Sequence, residues 1–205
     1  MSELVMLDFD GVIADSLDVT VAAQVAVMTA YGFPQLATAD ALLRMVEDNW
    51  FAGLRALGVP EAAGPEIDEF IARALAAGEF GPFPDIPHVV GRLGARHEVV
   101  VVTSNRGDIV EGFLARYRIG GVGSVLGNEV ATSKVEKIDL ARRRHASADG
   151  GWYVGDTVGD VAEARAAGAR VVAATWGWHS RERLERAMPD HVAATPADLL
   201  ALLDA

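Results

Sequence analysis

Apolar positions along this chain follow two different spacings. Between residues 16 and 80 they recur every three to four residues, the repeat of one helix face. Asp15-Ser16 reads as a helix start, and Leu17, Val21, Val25 and Met28 form a stripe up to the stop at Tyr31-Gly32-Phe33-Pro34. Leu43, Val46, Trp50, Leu54 and Leu57 mark a second helical region, closed by Gly58-Val59-Pro60. A third runs from about Pro65 to Ala77, before Gly78. Nothing in this segment reads as a strand.

Elsewhere the apolar residues form short unbroken runs, as in Val5-Met6-Leu7, Val99-Val100-Val101-Val102 and Trp152-Tyr153-Val154. Such runs, rich in β-branched residues, predict strands covered on both faces. Helical stretches alternate with them: a helix over about 86–95, a strand over 98–103, a helix, and a short strand over 124–126. Another helix leads to a strand over 152–156, a helix to Ala167 and a strand over 170–174. A helical stretch from Ser180, a short strand near His191 and a last helix from Thr195 complete the chain. This alternation predicts an α/β fold, a Rossmann-like parallel sheet flanked by helices, with an inserted all-helical segment. Residues 1–15 and 81–205 would form the α/β domain, and residues 16–80 the helical one. Gly81-Pro82-Phe83-Pro84-Asp85-Ile86-Pro87 is the linker, its prolines opposing regular structure.

Composition narrows the possibilities. Hydrophobic residues make up 51% of the 205, enough for a substantial core. There is no cysteine, which excludes disulfides, thiolate metal sites and cysteine nucleophiles. The net charge of −11 disfavours nucleic acid and anionic membranes as partners. The one basic run, Arg142-Arg143-Arg144-His145, ends a predicted helix, where it complements the helix dipole as a solvated terminus. No stretch approaches the roughly 20 apolar residues of a membrane span. The expectation is a soluble cytoplasmic protein. The five histidines are scattered, Gly120-Gly121-Val122-Gly123 reads as a loop, and no serine sits in a nucleophile elbow.

The chemistry gathers at strand ends. The first strand stops in Asp8-Phe9-Asp10-Gly11-Val12, two carboxylates one residue apart. Like charges so close repel unless a cation meets them, and a hard divalent ion suits carboxylate oxygens. The second strand ends in Thr103-Ser104-Asn105, and the fourth in Gly155-Asp156-Thr157-Val158-Gly159-Asp160. In a parallel sheet these three ends converge on one rim, where ligands of open α/β sheets bind.

Asp8-Phe9-Asp10-Gly11-Val12, Thr103, Lys134 in Ser133-Lys134-Val135, and Gly155-Asp156-Thr157 with Asp160 resemble, in order and spacing, the four motifs of the haloacid dehalogenase superfamily. Ala164-Arg165-Ala166-Ala167-Gly168 and Thr175-Trp176-Gly177 are similar to the segments that the superfamily carries after its fourth motif. The helical insertion resembles the small cap of the phosphoglycolate phosphatase-like branch. The resemblance implies that Asp8 is a nucleophile forming an aspartyl phosphate and that Asp10 is the general acid and base. It implies a magnesium ion on Asp8, the Asp10 backbone carbonyl and Asp156, with Asp160 orienting a metal-bound water. Thr103, Ser104 and Asn105 would bind phosphate through a hydroxyl and backbone N–H groups, and Lys134 would balance the remaining negative charge. Many relatives carry Lys-Pro at this motif, whereas this chain has Lys134-Val135-Glu136-Lys137. Lys137, one turn on, is the alternative to Lys134, and a solvated helix-start lysine is the ordinary reading of either.

Asp10 separates the branches. Relatives that displace halide lack a carboxylate there, and those that cleave carbon–phosphorus bonds carry a small residue and a cap lysine. The resemblance therefore implies a phosphatase acting on a small phosphomonoester, phosphoglycolate-like or a sugar phosphate. The alternatives are a sugar-phosphate mutase and a non-catalytic phosphate- or metal-binding module. Mutases of this branch have a His in the first cap helix where this chain has Thr20, which favours hydrolysis. Asp48-Asn49-Trp50 stands where phosphoglycolate phosphatases tend to have a Gly-rich turn. Arg44 and Arg55, eleven residues apart, would share a face of a continuous helix and could reach a substrate anion, or else be surface arginines. Trp50 belongs to the apolar stripe and is expected in the core. Hinges are expected near Ala14-Asp15 and Phe80-Gly81-Pro82.

Overall fold

A computed structural model describes residues 2–56, 58–145 and 150–203; Leu57, in the second predicted stripe, lies outside the described residues. Six strands form one sheet in the order β3-β2-β1-β4-β5-β6, every pairing parallel. They are β1 (Leu4–Leu7), β2 (Glu98–Val102), β3 (Ser124–Leu126), β4 (Trp152–Gly155), β5 (Arg170–Ala174) and β6 (His191–Ala193). The chain leaves β1 to build one side of the sheet and returns to its other edge with β4. The rim above β1, flanked by β2 and β4, is therefore a topological switch point, the place in such sheets where a crevice opens.

Four helices lie between β1 and the rest of the sheet: α1 (Leu17–Ala30), α2 (Ala39–Met45), α3 (Trp50–Ala56) and α4 (Gly64–Ala77). Six more come after them: α5 (Ile86–Gly94), α6 (Gly107–Arg116), α7 (Lys134–Arg144), α8 (Val158–Ala166), α9 (Arg181–Arg186) and α10 (Asp198–Leu203). Strand alternation divides the core in two. Val5, Leu7, Val99, Val101 and Val154 pack against α5, α6 and α10, and Leu4, Met6, Val100, Val102 and Tyr153 against α7 and α8. Because both faces are covered, the strands read as unbroken apolar runs. Each such side chain taken wholly from water contributes about 1.5–3 kcal/mol before entropy is counted.

The helical segment has its own core, with Val27, Met28, Leu42, Met45, Leu54, Ile67 and Leu75 in one cluster. Two details differ from the expected pattern. The buried face of α1 is Thr20, Ala23, Gln24, Val27 and Met28, while Val25 is 39% exposed. Gln24 can sit inside because its Nε2 donates to the Leu36 carbonyl at 3.2 Å. The second region is two helices, broken over residues 46–49. There Asp48 Oδ1 accepts from the Asn49 N–H at 2.8 Å and Asn49 Oδ1 from the Phe51 N–H at 3.1 Å. These local bonds offer the backbone an alternative to the helix. Gly53 then lets α3 cross the end of α2, since a Cβ there would stand 2.4 Å from the Met45 carbonyl oxygen.

The two connections to the helical segment run side by side. Asp15 N donates to the Gly81 carbonyl at 2.9 Å and Phe83 N to that of Ile13 at 3.0 Å, and Ala14 bridges Pro82 in antiparallel fashion. The proline-rich linker is thus partly an extended ribbon. Its last proline, Pro87, lies in the first turn of α5, where a missing N–H costs nothing.

Candidate active site

Asp8 comes directly after β1, and its N–H donates to the Val154 carbonyl at 2.9 Å. That bond carries the pairing with β4 one residue past the strand and delivers the carboxylate to the rim. The chain then turns tightly, the Phe9 carbonyl accepting from the N–H groups of Ile13 and Ala14, both at 2.9 Å. Gly11 takes φ +76 in this turn, a left-handed conformation that suits glycine. Asp10 points to different partners. Its Oδ1 accepts from Ser16 Oγ at 2.6 Å and its Oδ2 from Asn105 Nδ2 at 3.3 Å. Ser16, expected to cap a helix, makes no cap bond and spends its hydroxyl on Asp10.

Lys134, the first residue of α7, lies between two carboxylates. Its Nζ is 2.6 Å from Asp8 Oδ2 and 2.6 Å from Asp160 Oδ1. Lys137 is also fully buried, but its ammonium donates to the backbone carbonyl of Thr103. Neither is a solvated helix-start lysine. At the other end of α7 the solvated reading also needs amending, for Arg142 donates to the Ala167 carbonyl.

Asp160 joins Thr157 in a capping box at the start of α8. Its Oδ2 accepts from the N–H groups of Asp156 (3.2 Å) and Thr157 (3.0 Å) and from Thr157 Oγ1 (2.7 Å). Its Oδ1 accepts from Lys134 and from the Tyr153 hydroxyl at 3.2 Å. Burial pushes the Asp160 carboxyl up, but Lys134 and the Thr157 bonds outweigh it and hold the group below the usual range.

Asp156 is less well satisfied. Its Oδ2 accepts from the Trp178 N–H at 2.6 Å, while its Oδ1 is buried without a partner. The carboxylate is squeezed between two glycines, since a Cβ on Gly11 would stand 1.9 Å from Oδ2 and one on Gly177 2.4 Å. Burial drives Asp156 well above the ordinary range, and the charges of Asp160 and Asp8 add to it. Burial likewise raises Asp8, to about 7, against the pull of Lys134. Asp8, Asp156 and Asp160 each bring an oxygen within 4.8 Å of the others. Three buried acids, of which Lys134 touches only Asp8 and Asp160, with one Asp156 oxygen unpartnered, are a donor set that fits a hard divalent cation.

Thr103 is buried at the end of β2, its N–H bonded to the Leu126 carbonyl at 3.1 Å. Its Oγ1 accepts from the Asn105 N–H at 3.0 Å, which leaves the hydroxyl proton available to a ligand. Asn105 N–H is therefore engaged within the loop, and the Asn105 side chain braces Asp10 while accepting from the Arg106 N–H at 2.8 Å.

Asp8, Asp10, Thr103, Ser104, Asn105, Lys134, Asp156 and Asp160 line one pocket. The helical segment supplies its opposite wall, with Thr20, Asp48, Trp50, Asp68, Ile71 and Leu75. Trp50 is thus a half-buried wall residue as well as part of the helical core. Arg44 and Arg55 do not join this lining: both are exposed, and Arg55 lines a separate groove with Phe51, Leu54 and Pro60. The helix break between them removes the shared face. Polar contacts hold the wall against the sheet. Asn49 Nδ2 donates to the Thr132 carbonyl (3.0 Å) and Glu163 (3.2 Å), and Asn128 donates to Asp68 (2.7 Å). Arg106 pairs with Glu69 (2.7 Å), and the His179 ring joins the Val158 N–H to the Leu43 carbonyl.

Ser16, Tyr153, Glu163 and Trp178 escaped the sequence reading as site residues; only Thr175-Trp176-Gly177 carried a signal, next to Trp178.

Residues 5–174 match the family model described as haloacid dehalogenase-like hydrolase. The chain is 29% identical over 206 residues to a phosphoglycolate phosphatase of Synechococcus elongatus, covering 97% of this chain and 95% of the relative. Among solved structures, a hydrolase from Pseudomonas syringae superposes with a TM-score of 0.83 at 21% identity, covering 100% of this chain and 98% of the other. A haloacid dehalogenase-like family hydrolase from Streptococcus pneumoniae gives 0.78 at 21% identity, covering 98% of each chain. These two likenesses establish the shared fold, and the family match spans the strand ends that build the pocket. The chain belongs to the haloacid dehalogenase-like hydrolase family.

Proposed function

We propose that this hydrolase is a magnesium-dependent phosphatase that cleaves a small phosphomonoester through an aspartyl phosphate on Asp8. The observation that carries this reading is the unequal treatment of two neighbouring carboxylates. Asp8 touches an ammonium, Lys134 at 2.6 Å, which favours an ionised nucleophile. Asp10 has only the neutral donors Ser16 and Asn105; burial raises both carboxyls, but no ammonium touches Asp10 to oppose a proton there, which suits it to the acid's role. An ammonium beside one carboxyl and only neutral donors beside the other assign the nucleophile and the acid.

In the first step an Asp8 carboxylate oxygen attacks phosphorus, the bond to the ester oxygen breaks, and Asp10 gives its proton to the departing alkoxide. In the second, Asp10 takes a proton from water as that water attacks phosphorus. The bond to Asp8 breaks, freeing phosphate and restoring both carboxyls. Thr103 and Ser104 would hold the phosphoryl oxygens together with Lys134, while Asn105, whose N–H and side chain are engaged by Thr103 and Asp10, would hold the loop and the acid in place rather than bind phosphate as the sequence suggested. Magnesium, when bound by Asp8, Asp156 and the Asp10 carbonyl, would supply charge screening between nucleophile and phosphate. Asp160 would fix Lys134 and the Asp156 loop. Residues 16–80 would act as a cap on the core of residues 1–15 and 81–205.

The named activity of the Synechococcus relative supports a phosphomonoester substrate. Thr20 lines the pocket where mutases of the branch have a His, which supports hydrolysis over transfer. The test is phosphate release from a panel of phosphomonoesters with magnesium. Release should fall at least about a thousandfold in Asp8→Asn, as for loss of a covalent nucleophile, and should vanish with EDTA. Undiminished release in either arm would refute the mechanism.

A further inference from the structure

The cap-side wall of the pocket describes the alcohol that the enzyme releases. Trp50, Ile71 and Leu75 give it an apolar surface, and its charged groups are two carboxylates, Asp48 and Asp68. Lys134 is the one cationic residue among the lining residues described, and both of its short contacts go to Asp8 and Asp160 at the strand ends. Arg106 lies outside the lining and is held by Glu69 and Asp108 at 2.7 Å each. A carboxylate or second phosphate on the leaving group would thus meet like charge and apolar surface with no basic partner, at a cost in lost hydration.

We propose that the substrate is the phosphomonoester of an alcohol with no second anionic group, one that offers hydroxyl or amino donors to the cap. This deepens the phosphatase reading and rests on it. Asp48 and Asp68 accept such donors. Asp68 takes one bond from Asn128 at 2.7 Å, and burial raises its carboxyl, so a donor from the ligand relieves a cost already present. Trp178, also in the lining, carries no charge. Hydroxyls therefore suit the two carboxylates of this wall, whereas a carboxylate suits neither.

The test uses pairs of esters that differ only by carboxylate against hydroxymethyl: phosphoglycolate with hydroxyethyl phosphate, and phosphoglycerate with glycerol phosphate. The hydroxymethyl member of each pair should have the higher kcat/KM by about tenfold or more, which corresponds to about 1.4 kcal/mol. Asp48→Asn and Asp68→Asn should each narrow that ratio by improving the carboxylate member relative to its partner. Equal or better use of the carboxylate members by the wild-type enzyme would overturn the inference and leave the phosphatase standing. Should no ester, including an activated aryl phosphate, give release that depends on Asp8, the phosphatase reading itself would fall and this inference with it.

Discussion

Asp8 and Asp10 stand two residues apart yet have opposite kinds of neighbour, and that difference makes a kinetic prediction. If Asp10 protonates the departing oxygen, its loss matters most when the leaving alcohol is a poor leaving group. Asp10→Asn should lower kcat/KM by about 10²–10⁴ for an alkyl phosphate, and much less for a nitrophenyl phosphate, whose phenolate leaves without help. Equal losses on both esters would remove Asp10 from that role. Lys137 makes a second prediction. Burial, together with the charge of Lys134, pushes its ammonium down to about 8 from an ordinary 10.5. Between those values the folded chain binds fewer protons than the unfolded one, so stability rises with pH across the window. The contribution is complete above 10.5 and is lost as pH falls through 8. In urea unfolding, wild-type stability minus that of Lys137→Met should climb from pH 8 towards 10, and a flat difference would contradict the assignment. Residues of this kind divide by legibility. Asp8, Asp10, Thr103 and Asp156 were readable because each sits next to a strand run that marks where it emerges. Ser16, Tyr153 and Trp178 were not, since their partners lie on other elements and only the fold joins them.

Elements were legible where one face or both are buried and ambiguous where local side chains compete. All six strands track the apolar runs, and even the short β6 lies near His191, where a short strand was expected. The break over residues 46–49 was missed because Leu43, Val46, Trp50 and Leu54 keep helical spacing across it. What ends α2 is the Asp48-Asn49 pair, which bonds its own backbone and then reaches Thr132 and Glu163. That loop sits close over α8, where a Cβ on Gly159 would stand 2.8 Å from the Val46 carbonyl. With the wall held this closely, the proposed cap would have to swing on its paired connections to admit substrate and release product. Gly81 lies in the second of them, and its nearest neighbour for an added Cβ is Tyr117 at 3.9 Å, so a larger residue fits. Gly81→Pro should stiffen the ribbon and lower kcat severalfold, while magnesium affinity measured by calorimetry stays within about twofold. Equal effects on both would argue against a hinge there.

At the scale of the molecule, the sheet order explains why distant sequence motifs act together. β1 lies between β2 and β4, so three strand ends separated by up to about 150 residues open on one crevice, and α7 adds Lys134 from the covered face. A parallel α/β sheet with an inserted helical segment was readable from spacing alone. The position of the insertion over that crevice was not, because it depends on contacts such as Asn128 to Asp68 and Arg106 to Glu69. No helix among the described residues is long and apolar enough to cross a membrane. Against the net charge of −11, Lys134 is the one cationic residue among the described lining residues, the local exception that the proposed phosphoryl site would use. If Asp8 is the nucleophile, the phosphoryl group passes through it as an aspartyl phosphate that can be trapped. The enzyme would be mixed with magnesium and a substrate it turns over, quenched in acid within the first turnover, and its peptides examined by mass spectrometry. The expected result is phosphate on the peptide carrying Asp8, absent from Asp8→Asn and from samples quenched after substrate is exhausted. Phosphate released at full rate with Asp8 unmodified throughout, or equal turnover by Asp8→Asn, would contradict the covalent step.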